Sequence, residues 1–334
     1  MSKQLLAPSI SIKMILLISK FAVGLLLIIK GADWLTDGAS DIARRFNISS
    51  LVIGLTIVAF GTSTPELVVS VVSAVQGQTD LAIGNVVGSN IFNSLAIVGV
   101  TAIICPVACS KGNIRYDVPL CLLASIVLFA VANDTLFGAS KDIISRSDGI
   151  VLLCFMAIFL SYSITLGISS SNDPVDEKQS ASINFVKSVA LFLIGLTALV
   201  FGGEWIVDGA SGIAAEMGVS QAIIALTIVA TGTSFPELMT SVMAARKGDT
   251  DMALGNVVGS NIFNIFFILG ASATISPLQR GNIGMIDFLT LLLGAALIWL
   301  FCRFGRKYHH ITQTEGIILT MCAVIYYIWS IIEA

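Results

Sequence analysis

Glu66 and Glu237 each follow a proline inside a glycine–threonine–serine run, AFGTSTPELVVS at 59–70 and ATGTSFPELMTS at 230–241. The apolar stretches around them are long enough to cross a bilayer, and no other acidic residue falls so deep in one. A charge at the centre of a transmembrane helix costs about 2.5–3.5 kcal/mol on insertion scales. No lysine or arginine lies at matching depth, and Lys20 and Lys30 sit near enough to the ends of the first stretch to snorkel. A bound cation is then the natural counter-charge. Pro65 and Pro236 sharpen the case, because a proline has no N–H to donate and clashes with the carbonyl four residues back. The carbonyls of Gly61 and Gly232 lose their helical partners at a depth where bare backbone is tolerated only inside protein or along a watery cavity. Those carbonyls, the hydroxyls of Thr62 and Thr233 and the two carboxylates make an all-oxygen cage. Thr62, Glu66 and Ser70 share one helix face, as do Thr233, Glu237 and Ser241.

A second motif, GNVVGSNIFN, occurs at 84–93 and again at 255–264. It places Asn85, Ser89 and Asn93, and likewise Asn256, Ser260 and Asn264, as polar stripes on apolar helices. Gly84 with Gly88, and Gly255 with Gly259, have the small-xxx-small spacing that lets helices approach closely. These helices are expected to pack beside the glutamate helices and to point amide oxygens at the carboxylates. Hard oxygen ligands without sulfur or imidazole favour Ca²⁺, Na⁺ or Mg²⁺ over transition metals. Ca²⁺ accepts flexible cages of carboxylates and carbonyls, whereas Mg²⁺ holds its water and demands octahedral geometry. One Ca²⁺ neutralises two glutamates, and so do two Na⁺, which is the physical basis for exchange; K⁺ and protons stay open on this argument.

Each reading has a structural rival. Hydrogen bonds from neighbouring helices are the alternative for the glutamates, although their duplication beside two prolines favours function. Interhelical bonding competes with ligation at Asn93 and Asn264, and back-bonding to the i−4 carbonyl competes at every motif hydroxyl. Asn90 and Asn261 lie on another face and read as packing or hydrogen-bonding groups. Asp33, Asp37, Glu204 and Asp208 read as solvated residues near span ends, and His309 and His310 as a solvated turn.

The elements that position these residues follow from composition. Of 334 residues 56% are apolar and 12% charged, against roughly 25% charged in soluble domains. The net charge of −3 comes without a basic patch, which argues against nucleic acid. The six cysteines form no CxxC pair and read as small core hydrophobes, and the two histidines do not suffice for a histidine-built site. Ten apolar runs are long enough to span, near 14–35, 50–76, 81–105, 117–133, 148–166, 185–206, 221–246, 252–276, 284–303 and 315–332. The first lacks a cleavage site and reads as a retained span rather than a signal peptide.

The polar segment at 169–184 divides the chain into halves of five spans, 1–168 and 185–334, and reads as a cytoplasmic linker too short for a regulatory domain. Residues 51–98 and 222–269 align without a gap, with 30 identities in 48 positions at a constant offset of 171. Lys and Arg counted in the loops favour the side holding Arg44, Arg45, Lys111, Arg115, Lys178, Lys187, Arg246, Lys247, Arg303, Arg306 and Lys307, which the positive-inside rule makes cytoplasmic. Both termini are then outside. An odd number of spans per half turns the second half upside down. The expected fold is an all-α polytopic protein of ten transmembrane helices, two inverted five-helix repeats with helices 2 and 7 broken at mid-membrane, the architecture of secondary transporters.

GTSTPE with GNVVGSNIFN, repeated as GTSFPE with GNVVGSNIFN, resembles the calcium/cation antiporter superfamily, specifically its prokaryotic sodium/calcium exchanger-like members, over nearly the whole chain. The resemblance implies a Na⁺-for-Ca²⁺ antiporter of the cell (inner) membrane, working by alternating access, functional as a monomer, with no cofactor and no enzymatic activity. It implies Ca²⁺ ligation by Glu66 and Glu237 with help from Thr62 and Thr233. It implies flanking Na⁺ sites using Ser63, Ser234, Ser89 and Ser260, the carbonyls of Ala59 and Ala230, and Asn93. Several relatives, the potassium-dependent branch among them, carry aspartate where this chain has Asn264. The neutral amide weakens the case for K⁺ co-transport and leaves proton coupling open. The cation/proton branch has a different motif around its glutamates, so sodium is the favoured driver. Ca²⁺/H⁺ or K⁺-assisted exchange is the alternative, and a cation channel is the weaker third reading. An enzyme is disfavoured, since no nucleophile–base pair accompanies the glutamates.

Overall fold

The computed structural model describes residues 12–46, 48–138, 140–169, 184–217, 230–307 and 309–333. It is almost wholly helical: α1 Ile12–Phe46, α2 Ser50–Thr62, α3 Thr64–Val75, α4 Thr79–Ile104, α5 Asn113–Val131, α6 Arg146–Ser169 and α7 Phe185–Glu216. After a short turn at Ala230–Gly232 come α8 Phe235–Arg246, α9 Thr250–Ile275, α10 Met285–Phe304 and α11 Gln313–Glu333. Among the described residues, eight helices are long and apolar enough to cross a membrane, and α2 with α3, bent by 50°, makes a ninth span. The expected span at 221–246 is described only from Ala230 onward. The linker, expected at 169–184, lies almost entirely outside the described residues.

α4 and α9 form the centre. Their most apolar stretches are 67% and 94% buried, against 17–39% for the other unbroken spans, so the remaining helices shield these two from lipid. Two antiparallel two-residue ribbons tie the ends together: β1 Val107–Ala108 with β4 His310–Ile311, and β2 Ile143–Ile144 with β3 Leu278–Gln279. Beside the second ribbon, Asp142 accepts from the Thr135 N–H at 2.8 Å and pairs with Arg280 at 3.0 Å. That N–H, with the guanidinium, holds its carboxyl below the ordinary range.

α1 and α7 pack antiparallel through glycines at seven-residue spacing, Gly24, Gly31 and Gly38 against Gly202, Gly195 and the turn around Ser188. A Cβ at Gly38 would lie 2.6 Å from both the Ser188 oxygen and the Phe192 nitrogen, and one at Gly209 would lie 2.9 Å and 2.8 Å from the Leu17 oxygen and Phe21 nitrogen. Adding 171 to Gly38 and subtracting it from Ser188 and Phe192 turns the first contact into the second.

Several expectations are corrected here. α1 continues to Phe46 and α7 to Glu216, beyond the expected ends at 35 and 206, because small and apolar residues keep the buried face going: Leu35, Ala39 and Ala43 in one, Ile206 and Gly209 in the other. Asp33, Asp37, Glu204 and Asp208 therefore sit within helices; Asp37, Glu204 and Asp208 are exposed, as their solvated reading expects, and Asp33, Asp37 and Asp208 carry ion pairs. α5 starts at Asn113 rather than 117, through a π-helical turn at Asn113–Asp117. His309 and His310 are not a solvated turn: both are partly buried, His310 pairs with Ala108, and the His309 carbonyl accepts the Cys109 N–H at 2.8 Å. Cys109, Cys121 and Cys302 are buried as expected of small hydrophobes, but Cys154 is exposed on α6. Gly255 and Gly259 bring α9 against the backbone of Leu51 and Leu55 as their spacing predicts. The corresponding partners of Gly84 and Gly88, at 222 and 226, lie outside the described residues.

Candidate cation site

The site is built at two helix interruptions. Ser63 (φ −82°, ψ 10°) ends α2 and Ser234 (φ −91°, ψ 7°) precedes α8, both outside helical geometry. Pro65 and Pro236 then stand in the first turns of α3 and α8, where a missing N–H costs least. Glu66 and Glu237 fall in those same first turns. Each carboxylate therefore lies at the positive end of a half-helix, where the macrodipole favours an anion. The proline thus does more than break a helix: it starts a new one with the glutamate at its head.

The two interruptions grip each other's carboxylate. Ser63 Oγ donates to Glu237 Oε1 at 3.0 Å, and Ser234 Oγ donates to Glu66 Oε1 at 3.1 Å. Both glutamates are buried, at 1% and 0% exposure, and the Oε2 of each has no partner among the described residues. Also buried and unpartnered there are Ser89 Oγ, Ser260 Oγ, Thr233 Oγ1, Thr240 Oγ1, Asn264 Oδ1 and both polar atoms of Asn93. A buried polar group without a partner costs about 1–3 kcal/mol. Unpartnered oxygens on the glutamate helices and on the α4 and α9 helices bonded to them are what a binding site for a hard cation requires.

The asparagines divide into two roles. Asn85 Nδ2 donates to the Glu66 carbonyl at 3.2 Å and Ser70 Oγ at 2.9 Å. Asn256 Nδ2 donates to the Glu237 carbonyl at 3.3 Å and Ser241 Oγ at 2.9 Å. These amides pin α3 to α4 and α8 to α9, so the expectation that Asn85 and Asn256 aim oxygens at the carboxylates is corrected. Ser70 and Ser241 are likewise engaged in pinning, and the stripe facing the centre stops at the glutamates. Asn264 Nδ2 donates to Asn90 Oδ1 at 2.8 Å, Asn90 Nδ2 to the Asn261 carbonyl at 3.1 Å, and Asn261 Nδ2 to Ser94 Oγ at 2.8 Å. Asn90 and Asn261 thus bond α4 to α9, as their face predicts, while Asn93 keeps its whole head group uncommitted.

The halves differ in detail. The Thr62 hydroxyl is engaged with the Val58 carbonyl at 3.1 Å and Asn256 Oδ1 at 3.2 Å, whereas that of Thr233 has no partner among the described residues. The Ala59 carbonyl is not bare: it accepts the Ser63 N–H at 3.0 Å and the Thr62 hydroxyl at 3.4 Å. Ala230 opens the short turn before the second interruption. Two contributors were missed from sequence, Ser94 and Thr240. Thr240 was legible as the i+3 neighbour of Glu237; Ser94 has an isoleucine, Ile265, at the matching position of the other half. A cavity of about 310 Å³, lined by Thr64, Pro65, Glu204, Asp208, Thr233 and Pro236 among others, lies beside the second interruption. Among the described residues no three His, Cys, Asp or Glu side chains converge, so two carboxylates must share any cation with neutral oxygens.

The sodium/calcium exchanger protein family matches residues 16–165 and 187–332, covering both interruptions and nearly all of the helices. The chain belongs to that family. It is 37% identical over 311 residues to the putative antiporter CaxA of Alkalimonas amylolytica, spanning 91% of this chain and 95% of the relative. It is 30% identical over 331 residues to the sodium/calcium exchanger MaX1 of Methanosarcina acetivorans, spanning 90% and 94%. The inner membrane protein YrbG of Escherichia coli is 35% identical across 92% of this chain and 94% of its own. Among solved structures, the sodium-calcium exchanger NCX_Mj superposes with a TM-score of 0.80 at 34% identity, covering 93% of this chain and 98% of that one. As an exchanger-family chain, it is a polytopic membrane protein whose interruptions and buried carboxylates fall within the matched segments.

Proposed function

We propose that the chain is an antiporter that exchanges Na⁺ for Ca²⁺ across the membrane by alternating access. The observation that carries this is the reciprocal grip: each buried glutamate has one oxygen held by the other half's serine and one left open beside unpartnered oxygens. Glu66 and Glu237 bind Ca²⁺, aided by Thr233 and by the carbonyl beside Thr62. Ser63, Ser234, Ser89, Ser260, Asn93, Asn264 and the carbonyls of Ala59 and Ala230 supply the flanking Na⁺ positions. A single divalent ion, or two monovalent ones, neutralises the carboxylate pair, so the charged centre is never left dry and uncompensated in mid-membrane.

The scaffold we infer is ten spans in two inverted repeats, 1–168 and 185–334, with the Lys/Arg-rich face cytoplasmic and both termini outside. The 30 identities at offset 171 support it, as do the glycine contacts of α1 and α7 and the serine–glutamate bonds, which exchange under that offset.

The test is ⁴⁵Ca²⁺ uptake by the purified chain in Na⁺-loaded vesicles. Uptake is expected to rise with the outward Na⁺ gradient and to vanish when Na⁺ is equal on both sides. Uptake that ignores Na⁺ and follows a pH gradient would replace this reading with Ca²⁺/H⁺ exchange.

A further inference from the structure

The two halves place a carboxylate pair at matching positions on their long first helices, Asp33 and Asp37 on α1, Glu204 and Asp208 on α7, and treat them differently. Glu204 and Asp208 line the cavity that reaches Thr233 and Pro236, and the intervening Val207 is partly exposed there. On the other side the floor between the two carboxylates is shut: Thr36, which matches Val207, is 1% exposed and Thr62 is 0% exposed, while the Asp33 and Asp37 side chains themselves stand 36% and 54% exposed. Met239 and Met243 of α8 pack against the buried cluster to which Ile28, Ala32, Leu35 and Ala39 of α1 belong.

Lys247, at the end of α8, seals this closed side. Its ammonium lies 2.7 Å from Asp33 Oδ1 and 2.7 Å from Asp37 Oδ1, and donates to the Asp33 carbonyl at 2.9 Å and Thr36 Oγ1 at 3.0 Å. The matching position in the first half is Gln76, which is exposed. Among the described residues no lysine bridges both members of the open side's counterpart pair; Lys20 of α1 meets Asp208 alone at 3.0 Å, with side chains 49% and 59% exposed.

We propose that Lys247 is a gating residue for exchange: its ammonium occupies the Asp33–Asp37 pair as a built-in cation, latching α8 to α1 and closing one vestibule while the other stands open. When the chain switches, Lys247 leaves, α1 and α8 part, and Asp33 and Asp37 become the cation-receiving pair on that face, as Glu204 and Asp208 are on the open one. The physical basis is occupancy: a carboxylate pair filled by a tethered ammonium has no vacancy for a passing cation, and the tether holds the two helices together. Lys247 sits on the helix that carries Glu237, so movement of the latch and movement of the site share one rigid element. The inference rests on the alternating-access reading above.

Thiol accessibility on the two sides tests it without requiring transport. Thr36→Cys and Val207→Cys are introduced separately, with and without Lys247→Gln, and labelled with N-ethylmaleimide in the full chain; the native cysteines are subtracted using chains lacking the introduced one. Lys247→Gln is expected to raise labelling at position 36 at least tenfold and to lower it at position 207 several-fold, as the population shifts between faces. Lys247→Arg is expected to restore most of the native pattern, and Asp37→Asn to give a smaller shift of the same sign should Lys247→Gln fold poorly. Ca²⁺ binding by titration should stay within about threefold, since no site ligand is touched. Faster labelling at 36 with no change at 207 would mean local loosening only and would overturn the proposal, as would no change at 36. Reciprocal labelling in a chain without Na⁺-driven uptake would instead count against sodium coupling and leave the latch standing.

Discussion

Each buried glutamate here depends on a serine from the opposite interruption, and that dependence can be measured. Glu66→Gln and Glu237→Gln each remove one of the two charges that compensate a divalent ion, so each is expected to reduce Ca²⁺ affinity more than a hundredfold by titration calorimetry while leaving a folded, monodisperse protein. Ser63→Ala and Ser234→Ala leave both charges but remove a hydrogen bond to a carboxylate, an interaction worth about 1.5–3 kcal/mol. They should weaken Ca²⁺ binding by about tenfold or more. The sign of the coupling is diagnostic: Ser63→Ala combined with Glu237→Gln should cost little beyond Glu237→Gln alone, because the two groups meet at 3.0 Å, whereas Ser63→Ala with Glu66→Gln should be closer to additive.

At the scale of elements, the interruptions succeed because each broken span restarts with its proline in a first turn, and because Asn85 and Asn256 hold the restarted helices onto α4 and α9. The long helices α1 and α7 solve a different problem. They meet backbone to backbone through glycines, which leaves no room for a side chain. Gly38→Leu would drive a Cβ to 2.6 Å from the Ser188 oxygen and Phe192 nitrogen, and overpacking of this kind costs about 1–3 kcal/mol or more. A lowered thermal unfolding temperature in detergent is expected for Gly38→Leu. Gly112→Ala serves as the control, since its Cβ meets nothing nearer than Ser110 Oγ at 3.6 Å. Equal melting of the two variants would show that the α1–α7 contact contributes nothing to stability.

For the whole molecule, the consequence of two carboxylates at the centre is electrical. The neutral Asn264 leaves the proposed site with two formal charges; two Na⁺ per Ca²⁺ would make the cycle electroneutral, and a third Na⁺ would make it move one net charge. Each 100 mV of membrane potential then biases the cycle by about 2.3 kcal/mol. Imposing a K⁺-diffusion potential with valinomycin should change Na⁺-driven ⁴⁵Ca²⁺ uptake in proportion to the voltage. Voltage-independent uptake would mean two Na⁺ per Ca²⁺.

Much of this was legible in the sequence because bilayer chemistry is severe. A glutamate, a proline and a run of hydroxyls and amides in an apolar stretch have few explanations, and their duplication at a fixed offset marked both halves of the proposed site. The helical character of the spans and the bonding role of Asn90 and Asn261 followed from periodicity and burial cost, although the ends of α1 and α7 did not. Sequence spacing could not assign partners between helices. Whether Asn85 donates to a backbone carbonyl or aims at a carboxylate, whether Ser63 serves its own glutamate or the opposite one, and whether Asp33 and Asp37 meet water or Lys247 depend on how helices distant in the chain approach one another. Those approaches were set by tertiary packing, chiefly by the glycines of α1, α7 and α9 that let backbones touch, and by the non-helical turns at Ser63 and Ser234 that redirect the side chains around them.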